Sequence, residues 1–257
     1  MFKKLTILML AVASFCAPAM AETYKVGVSA EPYPPFYTPD ADGKWSGWEI
    51  DLMNEICTRI KAECVVTPIA WDGIIPALKT GKIDMIIGSM SITPARAKQI
   101  NFSDKYYATP TGLLVAKGTK YVPTPEGIAG AIVGAQSGAV QEAYANKHYA
   151  DTAGDIRIYQ TLDEELQDLA AGRLDAVVGD SLAMSEFIDS AEGQACCEYK
   201  GSVIEDPEVL GHGVGAGLRK EDADLLAQVN AAIAEIRSDG TYEKISKPYF
   251  KFDIYGQ

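Results

Sequence analysis

One stretch of this chain occurs twice. Leu78-Lys-Thr-Gly81-Lys82-Ile83-Asp84-Met-Ile86-Ile87-Gly88-Ser89 returns as Leu169-Ala-Ala-Gly172-Arg173-Leu174-Asp175-Ala-Val177-Val178-Gly179-Asp180. In each copy a glycine, Gly81 or Gly172, stands where a helix should end, which suits a left-handed C-terminal cap. A basic and an apolar residue then lead into a short buried strand that a second glycine closes. Apolar residues at helical spacing precede both copies: Ile74, Ile75 and Leu78 in one, Leu162, Leu166 and Leu169 in the other. A weaker match joins Tyr24-Lys-Val26-Gly27-Val28-Ser29 to Ala131-Ile-Val133-Gly134-Ala135-Gln136. Each half therefore reads as a strand–helix–strand–helix–strand unit with parallel pairing. The fold class expected is α/β, with two Rossmann-like lobes. A duplicated domain, rather than a solenoid, is implied because no 20–50-residue period is present.

The first 21 residues stand apart from this pattern. Lys3 and Lys4, the apolar run Leu5 to Ala13 and the small residues of Ala19-Met20-Ala21 have the form of a secretory signal peptide. Cys16 raises a lipoprotein alternative, but the bulky Phe15 precedes it where that processing needs a small residue. No later stretch reaches the roughly 20 apolar residues of a membrane helix. The expectation is cleavage after Ala21 and a soluble protein outside the inner membrane. The net charge is −12, with 35 acids against 23 bases. That balance argues against nucleic acid or anionic lipid as a partner, since both need a basic surface.

Export makes a disulfide between Cys57 and Cys64 plausible. Its short loop would staple the end of a helix to the next strand. The adjacent Cys196 and Cys197 are compatible with a vicinal disulfide, two free thiols or pairing between chains. With only His148 and His212 as histidines, no Cys/His spacing for a metal exists, and neither metal nor cofactor is expected.

In open α/β sheets ligands sit beyond the carboxyl ends of the strands. The residues just past the repeat glycines, Ser89 and Asp180, would then face one pocket from opposite walls. Downstream, Thr93 fits a helix N-cap and Pro94 the first helical position. Arg96 falls in that first turn, where the helix dipole disfavours a cation. A bound anion explains it better, because a guanidinium grips a carboxylate with two parallel hydrogen bonds. On the other wall, Gln136-Ser137-Gly138-Ala139-Val140-Gln141 turns from strand into helix, offering backbone amides to an anion. No dinucleotide or P-loop glycine pattern accompanies it. Asp180 is the natural partner for an ammonium. Tyr33 and Trp71 could sandwich a ligand side chain, with Glu31 meeting a cation at its end. Trp45 and Trp48, around an expected strand bend at Gly47, look structural.

Taken together, these residues resemble a known family. Gly47-Trp-Glu-Ile-Asp-Leu52, the Cys57 to Cys64 spacing, Ile75-Pro-Ala-Leu78, Ser89-Met-Ser-Ile-Thr-Pro-Ala-Arg96, Gly172-Arg-Leu-Asp175, Gly217-Leu-Arg-Lys220 and Asp239-Gly-Thr-Tyr242 are similar to bacterial periplasmic solute-binding proteins of family 3. Within it, the chain looks closest to the lysine/arginine/ornithine and histidine binders and their opine-binding relatives. The likeness covers Glu22–Gln257. It implies a periplasmic binding protein-like type II fold, with residues 22–109 and 209–257 forming one lobe, 110–208 the other, and hinge crossings near 108–112 and 205–211. It further implies that Arg96 and the Val140 amide take an α-carboxylate, with Ala139, Gln136 and Gln141 nearby. Asp180 and Ser91 take the α-ammonium, and Trp71 and Tyr33 line the side-chain pocket. A monomer delivering a basic or polar amino acid to an ABC transporter permease is the implied role.

Departures bear on specificity. Ala30 stands where basic-amino-acid binders usually carry aspartate, with Glu31 one residue later. Gly88 and Val140 replace a family serine and threonine. Gly88 would leave room for a substituent on the ligand nitrogen, which makes an opine the alternative ligand. The fold also hosts periplasmic cyclohexadienyl dehydratases, an enzyme alternative for which Glu31 and Asp180 are the candidate acid or base. A sensor domain fits less well, because neither a membrane segment nor a signalling module is evident.

Overall fold

The computed structural model describes residues 22–256, so the expected signal peptide at 1–21 lies outside the described residues. The chain opens with β1 (Thr23–Ser29), followed by a two-strand ribbon of β2 (Thr38–Pro39) and β3 (Trp45–Ser46). Next come α1 (Trp48–Arg59), β4 (Glu63–Ile69), α2 (Ile74–Lys79), β5 (Met85–Ile86), α3 (Pro94–Ala97) and β6 (Asn101–Phe102). A second run contains β7 (Thr111–Ala116), β8 (Ile132–Gln136), α4 (Val140–His148), β9 (Asp155–Tyr159), α5 (Leu162–Ala170) and β10 (Ala176–Asp180). It continues through α6 (Ser185–Asp189), α7 (Ala191–Cys196) and β11 (Cys197–Ser202). The chain then returns through α8 (Pro207–Leu210), β12 (Gly217–Leu218), α9 (Ala223–Ser238) and α10 (Thr241–Ser246).

The repeat appears directly in the topology. One sheet has the order β4-β1-β5-β12-β6 and the other β11-β7-β10-β8-β9. Within them, β1 lies between β4 and β5 in parallel, and β8 lies between β9 and β10 in parallel. The remaining neighbours, β12 and β6 in one sheet and β7 and β11 in the other, pair antiparallel. Gly81 and Gly172 close their helices at φ 73° and 70°, the left-handed conformation that a side chain disfavours. Among the described residues no helix is long and apolar enough to cross a membrane.

Each sheet has its own core. Trp48 anchors the first: it is fully buried, lies edge-on to Tyr107 at 5.3 Å and Tyr242 at 5.9 Å, and donates from Nε1 to Ser246 Oγ at 2.9 Å. These contacts fasten the C-terminal helices to α1, so the end of the chain packs with its beginning. The second core gathers Leu113, Val133, Tyr144 and Val178, with Val209 and Leu210 of α8 against it. Cys57 and Cys64 form a disulfide that ties α1 to β4, and Cys196 bonds to its neighbour Cys197 where α7 meets β11.

The bend expected at Gly47 is present, and it leads from β3 into a helix rather than along a strand. Gly47 is the N-cap of α1, at φ 131°, and Trp48 is the first helical residue. Trp48 N and Glu49 N donate to Pro35 O and Phe36 O at 3.0 and 2.9 Å. A Cβ on Gly47 would lie 2.4 Å from Phe36 O, so the loop crosses too closely for any side chain.

Candidate functional site

A cavity of about 1140 Å³ lies between the two sheets and is lined from both. The strand ends and the helix starts beyond them supply most of its wall, as the carboxyl-end rule requires. Arg96 enters from α3, where Thr93 caps the helix by accepting Arg96 N–H at 3.2 Å and Pro94 occupies the first turn. The guanidinium is 9% exposed and spans the cavity wall, donating from Nη1 to Ser91 O at 3.1 Å and from Nη2 to Gly138 O at 3.0 Å. Those acceptors belong to the two different halves of the molecule. Among the described residues no acid pairs with Arg96, and burial alone pulls its pKa down to about 10.

Opposite in charge, Asp180 sits at the end of β10 and is 8% exposed. Its Oδ1 accepts the N–H of Leu182 at 2.9 Å and of Ala183 at 3.1 Å, and Oδ2 accepts the Thr109 hydroxyl. These bonds orient the carboxylate but bring no counter-charge. Burial wins over them and raises its pKa. The cavity thus holds one buried cation and one buried anion, neither neutralised by the protein. Taking such charges out of water costs several kcal/mol each. A dipolar occupant offsets both costs together.

The start of α4 adds to the cation's side. Its N-cap is Ala139, which has no side-chain acceptor, and Glu142 folds back onto Gly138 N at 2.7 Å. Val140 and Gln141, in the first turn, border the same cavity, and first-turn amides have no acceptor within their own helix. Trp71 lies with its ring 5.5 Å from the Arg96 guanidinium, and its buried Nε1 has no hydrogen-bond partner among the described residues. Tyr33 stacks on Phe36 and Tyr37 at 5.7 and 5.6 Å, and burial raises its pKa well above the ordinary tyrosine value. Glu31 accepts from Ser29 Oγ at 2.8 Å. No group of acids, cysteines and histidines arranged for a metal occurs among the described residues.

The structure brings Glu31, Tyr33, Trp71, Ser89, Ser91, Arg96, Gln136, Ala139, Val140, Gln141 and Asp180 to the lining of one cavity. Within that set the roles are unequal. Ser89, at φ 59°, gives both its N–H and its hydroxyl hydrogen to Glu49 at 2.8 Å, so its donors hold the loop and its hydroxyl oxygen is left to the cavity as an acceptor. Gln136 and Gln141 side chains are tied to Gln160 O at 3.1 Å and Thr111 Oγ1 at 3.4 Å. Gly88 is not on the wall. A Cβ there would meet Val28 Cα at 3.1 Å and Gly27 O at 3.3 Å, so its missing side chain answers the approach of β1 and opens no space for a ligand substituent.

Three contributors escape a reading of the sequence. Glu49 is fully buried in the first turn of α1, where it takes the two Ser89 bonds and the Tyr106 hydroxyl. An acid in a helix's first turn looks like an ordinary dipole partner, so nothing singled it out. Thr109 orients Asp180 from the crossing between the sheets. The Gly138 carbonyl, presented by a left-handed glycine at φ 70°, reaches Arg96 from the other half.

With this geometry in view, comparisons with known proteins are informative. The model of a family described as bacterial extracellular solute-binding proteins, family 3, matches residues 24–252. The chain is 44% identical over 239 residues to the lysine/arginine/ornithine-binding periplasmic protein of Escherichia coli (strain K12), covering 93% of this chain and 91% of that one. An ancestral arginine-binding protein solved with arginine superposes with a TM-score of 0.81 at 33% identity, over 90% of this chain and 99% of its own. An ancestral amino acid-binding protein, described as a precursor of cyclohexadienyl dehydratase, superposes at 0.77 and 31% identity, over 89% and 95%.

Proposed function

The chain belongs to the family-3 bacterial extracellular solute-binding proteins, and from that premise we propose that it is the substrate-capturing component of an ABC importer for a basic or polar amino acid. The observation that carries this reading is the pair of unneutralised buried charges in one cavity. The Arg96 guanidinium and the α4 amides take the ligand's α-carboxylate. Asp180 takes its α-ammonium, while Tyr33, Trp71 and Glu31 line the space for its side chain. The relative of E. coli named for lysine, arginine and ornithine supports a ligand of that class, as does the ancestral protein solved with arginine.

Capture works through the way the chain is divided. Residues 22–109 and 209–257 act as one lobe and 110–208 as the other, because the two sheets draw their strands from those ranges. At the return crossing Val209 and Leu210 rest against the second core, and Gly211 follows at φ 85°. Arg96 and Asp180 come from different lobes, so one zwitterion bound between them stabilises the closed arrangement. The protein acts outside the inner membrane as a monomer after loss of residues 1–21, and hands its ligand to a permease without turning it over.

A thermal-shift series on the purified protein tests this reading. Arginine, ornithine, lysine, histidine and glutamine are added separately at about 1 mM, with arogenate and prephenate as the dehydratase control. At least one amino acid is expected to raise Tm by several degrees, as binding at a hundredfold excess over Kd adds about 2.7 kcal/mol. Silence across all the amino acids, or consumption of arogenate or prephenate, would overturn it.

A further inference from the structure

The inward face of α5 carries an acid that the site above does not use. Glu165 is fully buried, and neither carboxylate oxygen has a hydrogen-bond partner among the described residues. The helix does not need it: Thr161 and Glu164 already form the capping box, and Leu166 and Leu169 complete the buried stripe. Burial raises the Glu165 pKa well above the carboxylate range, and the charge acting on it, Glu164, is another acid that raises it further. A lone buried carboxylate costs several kcal/mol unless a cation or a proton meets it.

Its position shows where a cation would come from. Thr161, Leu162 and Leu166, on either side of Glu165 along α5, border the cavity. Glu165 also acts on the hydroxyl of Tyr33, a residue of the facing wall, together with Asp180. Glu165 is therefore buried behind a stretch of α5 whose neighbouring residues border the cavity, while Arg96 lies beside Trp71.

We propose that Glu165 is a specificity-determining residue whose carboxylate turns out between Leu162 and Leu166 to receive a second positive group on the ligand, a guanidinium or side-chain ammonium. This rests on the reading of the cavity as an amino acid site, and it narrows the substrate class to amino acids with a cationic side chain. Two acids, Glu31 and Glu165, then bracket the side-chain end from opposite halves of the molecule.

Titration calorimetry with L-arginine and its neutral isostere L-citrulline tests the assignment, on the wild-type protein and on Glu165→Gln. If that variant does not fold, Glu165→Met serves in its place. The wild type should prefer arginine by about thirtyfold or more, the order of effect for a buried charge pair. Glu165→Gln should cut that preference at least tenfold, with citrulline affinity held within about threefold. An unchanged arginine-to-citrulline ratio in the variant overturns the proposal and leaves the amino acid reading intact. The same holds if the wild type binds neither compound but binds another amino acid. Failure to bind any amino acid removes the underlying reading and this inference with it.

Discussion

Replacing Arg96 with methionine is expected to weaken capture of L-arginine by on the order of a hundredfold or more, the cost of truncating one partner of a buried, hydrogen-bonded charge pair. Methionine fills much of the same length without a charge or a donor. The variant loses the bidentate grip on the carboxylate, and two carbonyls, Ser91 O and Gly138 O, lose their donor. Those lost bonds destabilise the empty protein, but removing an uncompensated buried cation works the other way. The ligand-free variant should therefore still unfold cooperatively, within several degrees of the wild type, while ligand-induced stabilisation disappears. Calorimetry and melting curves measured together separate lost binding from lost fold. Because Arg96 also bridges the two halves, the variant should lose closure along with affinity.

Asp180→Asn is the complementary change, with an expected loss of similar order for a ligand carrying an α-ammonium. Asparagine keeps an acceptor oxygen for Leu182 N and Ala183 N and can donate to the Thr109 hydroxyl, so the β10 end remains in place. What disappears is the negative charge. The wild type makes the same point through pH. Burial raises the Asp180 pKa, so the carboxylate neutralises on acidification at a pH above the ordinary aspartate range near 3.9. Affinity for the ammonium falls through that window. Stability of the empty protein moves the opposite way. A folded-state pKa above the unfolded one means that the folded protein binds the extra proton more tightly, so stability is gained as pH falls and lost as it rises. Glu49 and Glu165, also raised by burial, act in the same direction. A melting series carried from neutral pH down toward the ordinary carboxylate range should show the empty protein gaining stability from these groups while ligand affinity drops, and the Asn variant should have lost the Asp180 share of both trends.

How much of this was legible in the residues depends on the kind of signal each one carries. The duplicated segment set two parallel β–α–β–α–β units, and the orders β4-β1-β5 and β9-β8-β10 follow from it. Arg96 stood out because a cation in a helix's first turn is locally unfavourable, and such a conflict points to something outside the helix. Asp180 stood out by register with Ser89. The reasons for Gly47 and Gly88 are not legible locally, because a glycine's purpose lies in what passes beside it. Phe36 O and the β1 backbone are brought there only by the tertiary fold. Glu49, Thr109 and Glu165 carry no local anomaly at all. An acid on an amphipathic helix looks solvated until the helix is docked and its face is seen to be inward. The adjacent Cys196 and Cys197 left three states open, and the structure joins them to each other.

The central claim is that a guanidinium and a carboxylate from different halves of the protein hold opposite ends of one dipolar molecule. Titration of the wild-type protein with L-arginine, its decarboxylated form agmatine and its deaminated form 5-guanidinopentanoate tests it most directly, since each analogue removes one end and keeps the side chain. Arginine is expected to bind, and each analogue to bind at least about a hundredfold more weakly. Binding of either analogue as tightly as arginine would contradict it.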